Sequence, residues 1–258
     1  MNASNLDSDT QQIFVIIPVF NEGPMIGLVI EEVFELQEEK EESIHQPDNA
    51  QDFPKNMCIQ IVIVDDGSSD DTNSIVSKML DTKIGLHLLR HIVNLGQGAA
   101  LATGIQYALS NGAQILVTFD ADGQHDPADI IRLVAPVAAG EVDVALGSRF
   151  LTGAVKIPWP RRVLLKAAVL FTGLTDHIWL SDAHNGLRAL SAGAAQKIKI
   201  TQNRMAHASE IVSEIARLKL RYVEVPVNVR YTEYSRHKGQ RASDALNIMI
   251  ELLEDRLP

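Results

Sequence analysis

The chain has 258 residues, 46% apolar and 22% charged, the balance of a folded protein with a sizeable core. Its 23 basic residues face 33 acidic ones, a formal charge of −10, which argues against nucleic-acid binding across its surface. The lone Cys58 excludes an intrachain disulfide, residues 1–12 lack the pattern of a secretory signal, and no run approaches the ~18 apolar residues of a spanning helix.

In chain order, residues 1–12 read as a flexible N-terminus. Ile13-Phe14-Val15-Ile16-Ile17, stopped by Pro18, predicts a strand buried on both faces. Asn21-Glu22-Gly23-Pro24 then turns into a helix, with Ile26, Val29, Ile30, Val33 and Phe34 at helical spacing until the pattern dissolves at residue 38. Residues 38–56, polar with two prolines, read as a surface loop inside one domain spanning 1–258. A second buried strand at 59–64 runs into Asp65-Asp66-Gly67-Ser68-Ser69-Asp70, and a helix follows at about 72–80. A weaker strand at 86–90 leads through Asn94-Leu95-Gly96-Gln97-Gly98 to a helix at 99–110. The fourth strand, 115–119, stops at Asp120-Ala121-Asp122, and a helix at 127–138 and a strand at 142–147 complete the alternation.

The pattern then loosens. A Pro/Trp/Arg loop at 154–162 precedes an apolar helical stretch at 163–174, and an amphipathic helix is predicted at 209–218. A strand at 222–231, a charged loop at 232–240 and a helix at 243–253, with Ser243 as N-cap, close the chain.

Strands alternating with helices predict an α/β fold: a mostly parallel central sheet with helices on both faces. In such sheets ligands bind beyond the carboxyl ends of the strands. Asn21-Glu22, Asp65-Asp66, Asp120/Asp122 and Ser148-Arg149 all sit at such ends, so they should converge on one edge.

The chemistry of these clusters follows from residue type. Asp120, Asp122 and Gln124 offer hard oxygen donors that suit Mg²⁺ or Mn²⁺ shared with substrate phosphates, against the alternative of a plain acidic turn. Asp65 or Asp66 could accept from a base N–H or a ribose hydroxyl, or simply cap a helix. Gly96-Gln97-Gly98 has Leu101 where a dinucleotide fingerprint needs a third glycine, so close helix–sheet packing explains it better than a nicotinamide cofactor. Arg149, Arg161-Arg162 and Arg236-His237-Lys238 are the anion-binding candidates. Asp182 and His184, in Asp182-Ala183-His184-Asn185-Gly186, could orient or deprotonate an acceptor, or make local turn contacts.

Six motifs, in order, resemble those of glycosyltransferase family 2, of the GT-A fold, in its dolichyl-phosphate mannosyltransferase-like branch. They are Ile17-Pro18-Val19-Phe20-Asn21-Glu22, Val64-Asp65-Asp66-Gly67-Ser68, Asp120-Ala121-Asp122-Gly123-Gln124-His125, Gly147-Ser148-Arg149-Phe150, Asp182-Ala183-His184-Asn185-Gly186-Leu187-Arg188, and Val225-Pro226 with Lys238-Gly239. The resemblance implies a nucleotide-sugar donor whose nucleoside is framed by Pro18, Phe20, Glu22 and Asp65 or Asp66. Asp120, Ala121 and Asp122 would handle ribose and diphosphate, with Asp122 and Gln124 on a Mg²⁺ or Mn²⁺ ion. Lys238 would close over the diphosphate, and Arg149 and Arg161 would hold an acceptor phosphate. It also implies inverting transfer to a polyprenyl phosphate, in the cytoplasm with peripheral membrane contact. The alternatives are transfer to a sugar hydroxyl of a polysaccharide or glycolipid, for which Asp182 would be the base, and nucleotide-sugar binding without turnover. His184-Asn185, Thr232 and the lack of a spanning tail after Leu253 depart from the pattern of the mannosyl enzymes.

Overall fold

The computed structural model describes residues 10–43 (side chains to 37), 57–151, 178–182, 185–204 and 206–230. Its elements are β1 (Gln11–Val19), α1 (Gly23–Ser43), β2 (Met57–Asp65), α2 (Thr72–Leu80), β3 (Leu86–Arg90), α3 (Gln97–Ser110) and β4 (Ile115–Thr118). There follow α4 (Ala128–Ala138), β5 (Val144–Ser148), β6 (Arg188–Ser191), α5 (Ala192–Ala195), α6 (His207–Arg217) and β7 (Tyr222–Pro226). The seven strands form one sheet in the order β3-β2-β1-β4-β6-β5-β7.

The β-branched run of β1 is buried on both faces because successive side chains enter different layers. Ile13, Val15, Ile17 and Val19 pack with Ile26, Val29, Ile30 and Val33 of α1, Val76 of α2, and Ile130, Leu133 and Val134 of α4. Phe14 and Ile16 point the other way, to Ala100 and Leu101 of α3 and Ile211, Val212 and Ile215 of α6. Two apolar cores therefore sandwich the sheet, and each fully buried aliphatic side chain contributes about 1.5–3 kcal/mol of burial.

The pairings are parallel except at β6, which runs antiparallel to both β4 and β5. The chain winds outward from β1 to β3 and then crosses by α3 to β4, on the far side of β1. The carboxyl ends of β1 and β4 thus flank a topological switch point, where an open α/β sheet leaves a crevice. Pro18 sits at this split. Pairing of β1 with β4 ends at Ile16 opposite Thr118, where Ile16 C=O accepts from Phe119 N–H at 3.0 Å. Residue 18 shares Ile16's side of the strand, so the missing proline N–H falls where that ladder has already stopped.

Several boundaries differ from the sequence reading. β1 already takes in Gln11 and Gln12, and α1 runs to Ser43 rather than stopping at 38, since Glu and Lys are good helix formers and an acidic run need not end a helix. α3 begins at Gln97, and β7 ends at Pro226, short of 231. Beyond it, the backbone of 228–230 leaves the sheet to meet the first turn of α4 and the segment before it: Asn228 N–H donates to the Asp129 carboxylate (2.7 Å) and Arg230 N–H to Gln124 C=O (2.7 Å). β6 was not foreseen. The expected apolar helix at 163–174, the loops at 154–162 and 232–240 and the helix at 243–253 lie outside the described residues, as does most of the 38–56 loop. No helix among the described residues is long and apolar enough to cross a membrane.

Candidate active site

The turn after β1 is tied to the turn after β2. Asn21, in the left-handed region at φ 55°, donates its N–H to Ser68 Oγ (2.9 Å) and accepts from Ser69 N–H on Oδ1 (2.9 Å). Glu22 N–H donates to Thr72 Oγ1 (2.9 Å) and Gly23 N–H to the Asp70 carboxylate (3.0 Å). Pro18 is buried beneath this turn, while Phe20 stands 43% exposed at its rim.

Asp65 and Asp66 are both buried and both hold backbone. Asp65 accepts from Ser68 N–H (2.8 Å) and the Asn73 amide (3.2 Å), with the Arg90 guanidinium at 3.6 Å. Asp66 accepts from Leu95 N–H (2.9 Å) and Gly96 N–H (2.7 Å) and meets His91 Nδ1 at 2.7 Å. The other His91 nitrogen lies 3.0 Å from Thr103 Oγ1, so the loop after β3 is clamped to the end of β2 and to α3.

Asp120 and Asp122 occupy the β4 side of the crevice. Asp120 accepts from the Gln97 amide (2.9 Å) and pairs with His125 Nε2 (3.1 Å). Gly186 makes room for it: a Cβ there would stand 2.3 Å from Asp120 Oδ2. Behind them lies Arg188, only 2% exposed, donating to Ala208 C=O (3.3 Å). Burial pushes its guanidinium down to about 10, against the pull of Asp120 and Asp182. Buried His207 donates from Nδ1 to Arg204 C=O (2.6 Å).

The two carboxylates live in opposite fields. Burial works to raise the Asp120 pKa, yet the hydrogen bond and charge of His125, with His207 and Arg188, hold it below the usual carboxylate range. Asp122 is pushed up, first by burial and then by the charge on Asp120, although Gln124 donates to it from both backbone N–H (3.0 Å) and side-chain amide. A cation beside the pair would relieve that repulsion, and oxygen donors of this kind fit Mg²⁺ or Mn²⁺. Among the described residues no three Asp, Glu, His or Cys side chains cluster as a metal cage. An ion here would complete its shell from a ligand's phosphates, and Gln124 would join with its amide oxygen turned inward.

At the end of β5, Arg149 and Asp182 come together. Arg149 donates from Nε to Asp182 Oδ2 (2.7 Å), from Nη2 to Oδ1 (2.8 Å) and from its backbone N–H to Oδ2 (3.1 Å). Glu224 of β7 fixes the segment bearing Asp182 by accepting from Ser181 N–H (2.8 Å) and Asp182 N–H (3.2 Å). Both Asp182 oxygens thus serve the guanidinium, an arrangement suited to aiming Arg149 rather than to removing a proton.

The structure therefore brings Phe20, Glu22, Asp65, Asp66, Asp120, Ala121, Asp122 and Gln124 to one sheet edge, with Arg149 just after β5, the strand beyond β6, and Asp182 on the 178–182 segment beside it. Arg161, His184 and Lys238 lie outside the described residues. Sequence reasoning missed Gln97, His125, Arg188, His207 and Glu224. Gln97, His125 and Arg188 stood inside motifs already singled out, but only the histidine three residues after Asp122 signalled a polar partner at the site. The G-x-G run also packs differently from expectation. A Cβ at Gly96 or Gly98 would come within 2.2 Å of Asn203 O or 2.0 Å of Gln202 O, and Gly98 N–H donates to Asn203 C=O at 2.8 Å. Those glycines admit a loop, not the sheet; Gly104 is the one pressed on Ile16 and Val64.

Comparison with known proteins agrees with this fold. Residues 14–199 match the model described as "Glycosyl transferase family 2". The chain is 34% identical to an uncharacterised protein of Methanocaldococcus jannaschii, over 99% of this chain and 97% of that one. It is 31% identical to the UDP-N-acetylglucosamine–dolichyl-phosphate N-acetylglucosaminyltransferase of Methanococcus voltae, over 93% and 94% of the two chains. Among solved structures, glucosyl-3-phosphoglycerate synthase of Mycobacterium tuberculosis, in complex with Mn²⁺, UDP and glucosyl-3-phosphoglycerate, superposes with a TM-score of 0.60 at 20% identity, covering 92% of this chain and 75% of that one.

Proposed function

The chain belongs to glycosyltransferase family 2 and has the GT-A fold, and from that premise we propose that it is an inverting, metal-dependent enzyme moving a sugar from a nucleoside diphosphate to a polyprenyl phosphate. The observation that carries this reading is the Asp120/Asp122 pair at the split between β1 and β4, one carboxyl held below the usual carboxylate range and the other pushed above it by burial and by its neighbour's charge. The nucleoside would rest against Phe20, framed by Pro18 and Glu22 at the end of β1 and by Asp65 or Asp66 at the end of β2. Asp120 and Ala121 would border the ribose and diphosphate, and Asp122 and Gln124 would hold Mg²⁺ or Mn²⁺. When bound, that ion neutralises charge developing on the departing diphosphate.

Arg149, aimed by Asp182, would hold the acceptor phosphate, joined by Arg161 and Lys238 from the sequence pattern. An acceptor phosphate oxygen attacks the anomeric carbon as the bond from that carbon to the diphosphate oxygen breaks, and the electron pair leaves on the nucleoside diphosphate. The nucleophile is already anionic and needs no base. Transfer to a sugar hydroxyl would need one, and the double engagement of Asp182 by Arg149 favours the phosphate acceptor. The name of the Methanococcus voltae relative points the same way.

The test is calorimetric titration of UDP, GDP and their sugars with and without Mn²⁺, then incubation of labelled donors with undecaprenyl phosphate or a saccharide. Mn²⁺-dependent donor binding and a labelled lipid product are expected. Donor binding indifferent to Mn²⁺, or label found only on the saccharide, would overturn the proposal.

A further inference from the structure

The loop that follows β3 carries apolar side chains out into solvent. Ile92 is 99% exposed, Val93 60% and Leu95 47%, three projecting side chains within four residues. A loop with this content usually folds back onto its protein. Here the backbone prevents it, because every anchor of the loop is internal. Asp66 takes the N–H groups of Leu95 and Gly96, His91 N–H donates to Asp65 C=O at 2.8 Å, and the His91 ring is held between Asp66 and Thr103. Gly67 is pressed so closely under the loop that a Cβ on it would stand 2.8 Å from the carbonyl carbon of Val93. The loop is preformed, and its side chains are directed outward.

Cations flank this tip. Arg90, immediately before it, has a side chain 57% exposed. Arg204 is exposed on the other shoulder, and a Cβ on Gly96 would lie 3.2 Å from its Cγ. On a chain of net charge −10, two arginines beside three projecting aliphatic side chains form a local exception. Such a projection is too small and too convex for a stable protein interface, which needs about 800 Å² on each partner. Aliphatic side chains that enter the acyl boundary while arginines meet anionic headgroups make a peripheral lipid contact. The loop also adjoins the candidate site directly, since Gln97 at its end donates to Asp120.

We propose that residues 90–95, with Arg204, form a membrane-docking wedge that seats the crevice edge against an anionic lipid surface, where a lipid-borne phosphate would be presented. The membrane's role as source of acceptor rests on the proposed function; the docking itself does not.

The experiment is co-sedimentation of the full chain with phosphatidylcholine vesicles containing or lacking phosphatidylglycerol. The unmodified protein should pellet with anionic vesicles, and Ile92→Asp with Val93→Asp should weaken binding about ten-fold or more. Arg90→Gln with Arg204→Gln should remove the preference for anionic vesicles and its salt dependence. Failure of the unmodified protein to bind, or undiminished binding by the aspartate variant, would overturn the wedge. So would a lipid-free change of sedimentation coefficient in that variant, which would make the loop a contact between two copies of the chain. The aspartate variant should keep Mn²⁺-dependent donor binding and turnover of a water-soluble short-chain isoprenyl phosphate. Vesicle binding without any donor binding would refute the transferase reading and leave the wedge standing.

Discussion

Arg149 and Asp182 face each other through two parallel N–H···O bonds, 2.7 and 2.8 Å long, with the carboxylate side chain 1% and the guanidinium 11% exposed. A charge pair this deep is costly to break from one side, because the survivor is left buried and uncompensated. Asp182→Asn should lower stability by about 3 kcal/mol, read as a fall in Tm of roughly 6–12 °C. With a polyprenyl phosphate acceptor, its KM should rise while donor affinity stays constant. A collapse of kcat at unchanged acceptor KM would instead identify Asp182 as a base.

Asp122→Asn would remove the charge of the proposed metal ligand while keeping its shape and the backbone hydrogen bond from Gln124. Mn²⁺-supported donor binding should weaken by at least about ten- to a hundred-fold, the loss typical even for outer groups of a metal site. Binding without Mn²⁺ should hold or improve slightly, since Asp120 and Asp122 no longer repel. Paired titrations with and without the ion check both halves.

His207 and His87 both have pKa values lowered by burial. The unfolded chain takes up protons near pH 6.5 that the folded chain refuses, so their contribution to stability is complete above that pH and is lost as pH falls below it. Denaturation midpoints should stay nearly level from pH 8 to 7 and then fall at pH 6 and 5, by at most roughly 1.4 kcal/mol per pH unit for buried His207 and by less for half-buried, better-solvated His87. His207→Asn, whose amide nitrogen can take the place of Nδ1 against Arg204 C=O, should shallow the decline.

Gly98→Ala would drive a methyl group into the Gln202 carbonyl, 2.0 Å from the ideal Cβ position. Backbone on both sides leaves no flexible group to yield, so a destabilisation of about 1–3 kcal/mol is expected. Gly193→Ala, where a Cβ meets nothing within 4 Å, serves as the control and should leave Tm nearly unchanged.

The parallel strands were legible in the sequence because a strand covered on both faces must be apolar throughout, as 13–17 and 59–64 are. β6 was not, since it is four residues long and opens with Arg188, a charge whose burial local pattern gives no reason to expect. The acidic clusters at strand ends were legible for the same reason as the strands: polarity appears abruptly where cover ends. Their partners were not. Gln97, His125 and His207 reach Asp120, or influence it, from segments whose approach depends on tertiary packing. The pairing of Arg149 with Asp182, 33 positions apart in sequence, likewise follows from β5 and the 181–182 segment being brought side by side.

Pro18 has one more consequence. An opening between neighbouring strands is ordinarily under threat, since two peptide edges with complementary groups can zip together and erase it. At residue 18 the chain has no hydrogen to offer, so the fork between β1 and β4 cannot propagate shut through that position. The fork is kept apart at that point by a bond that chemistry forbids.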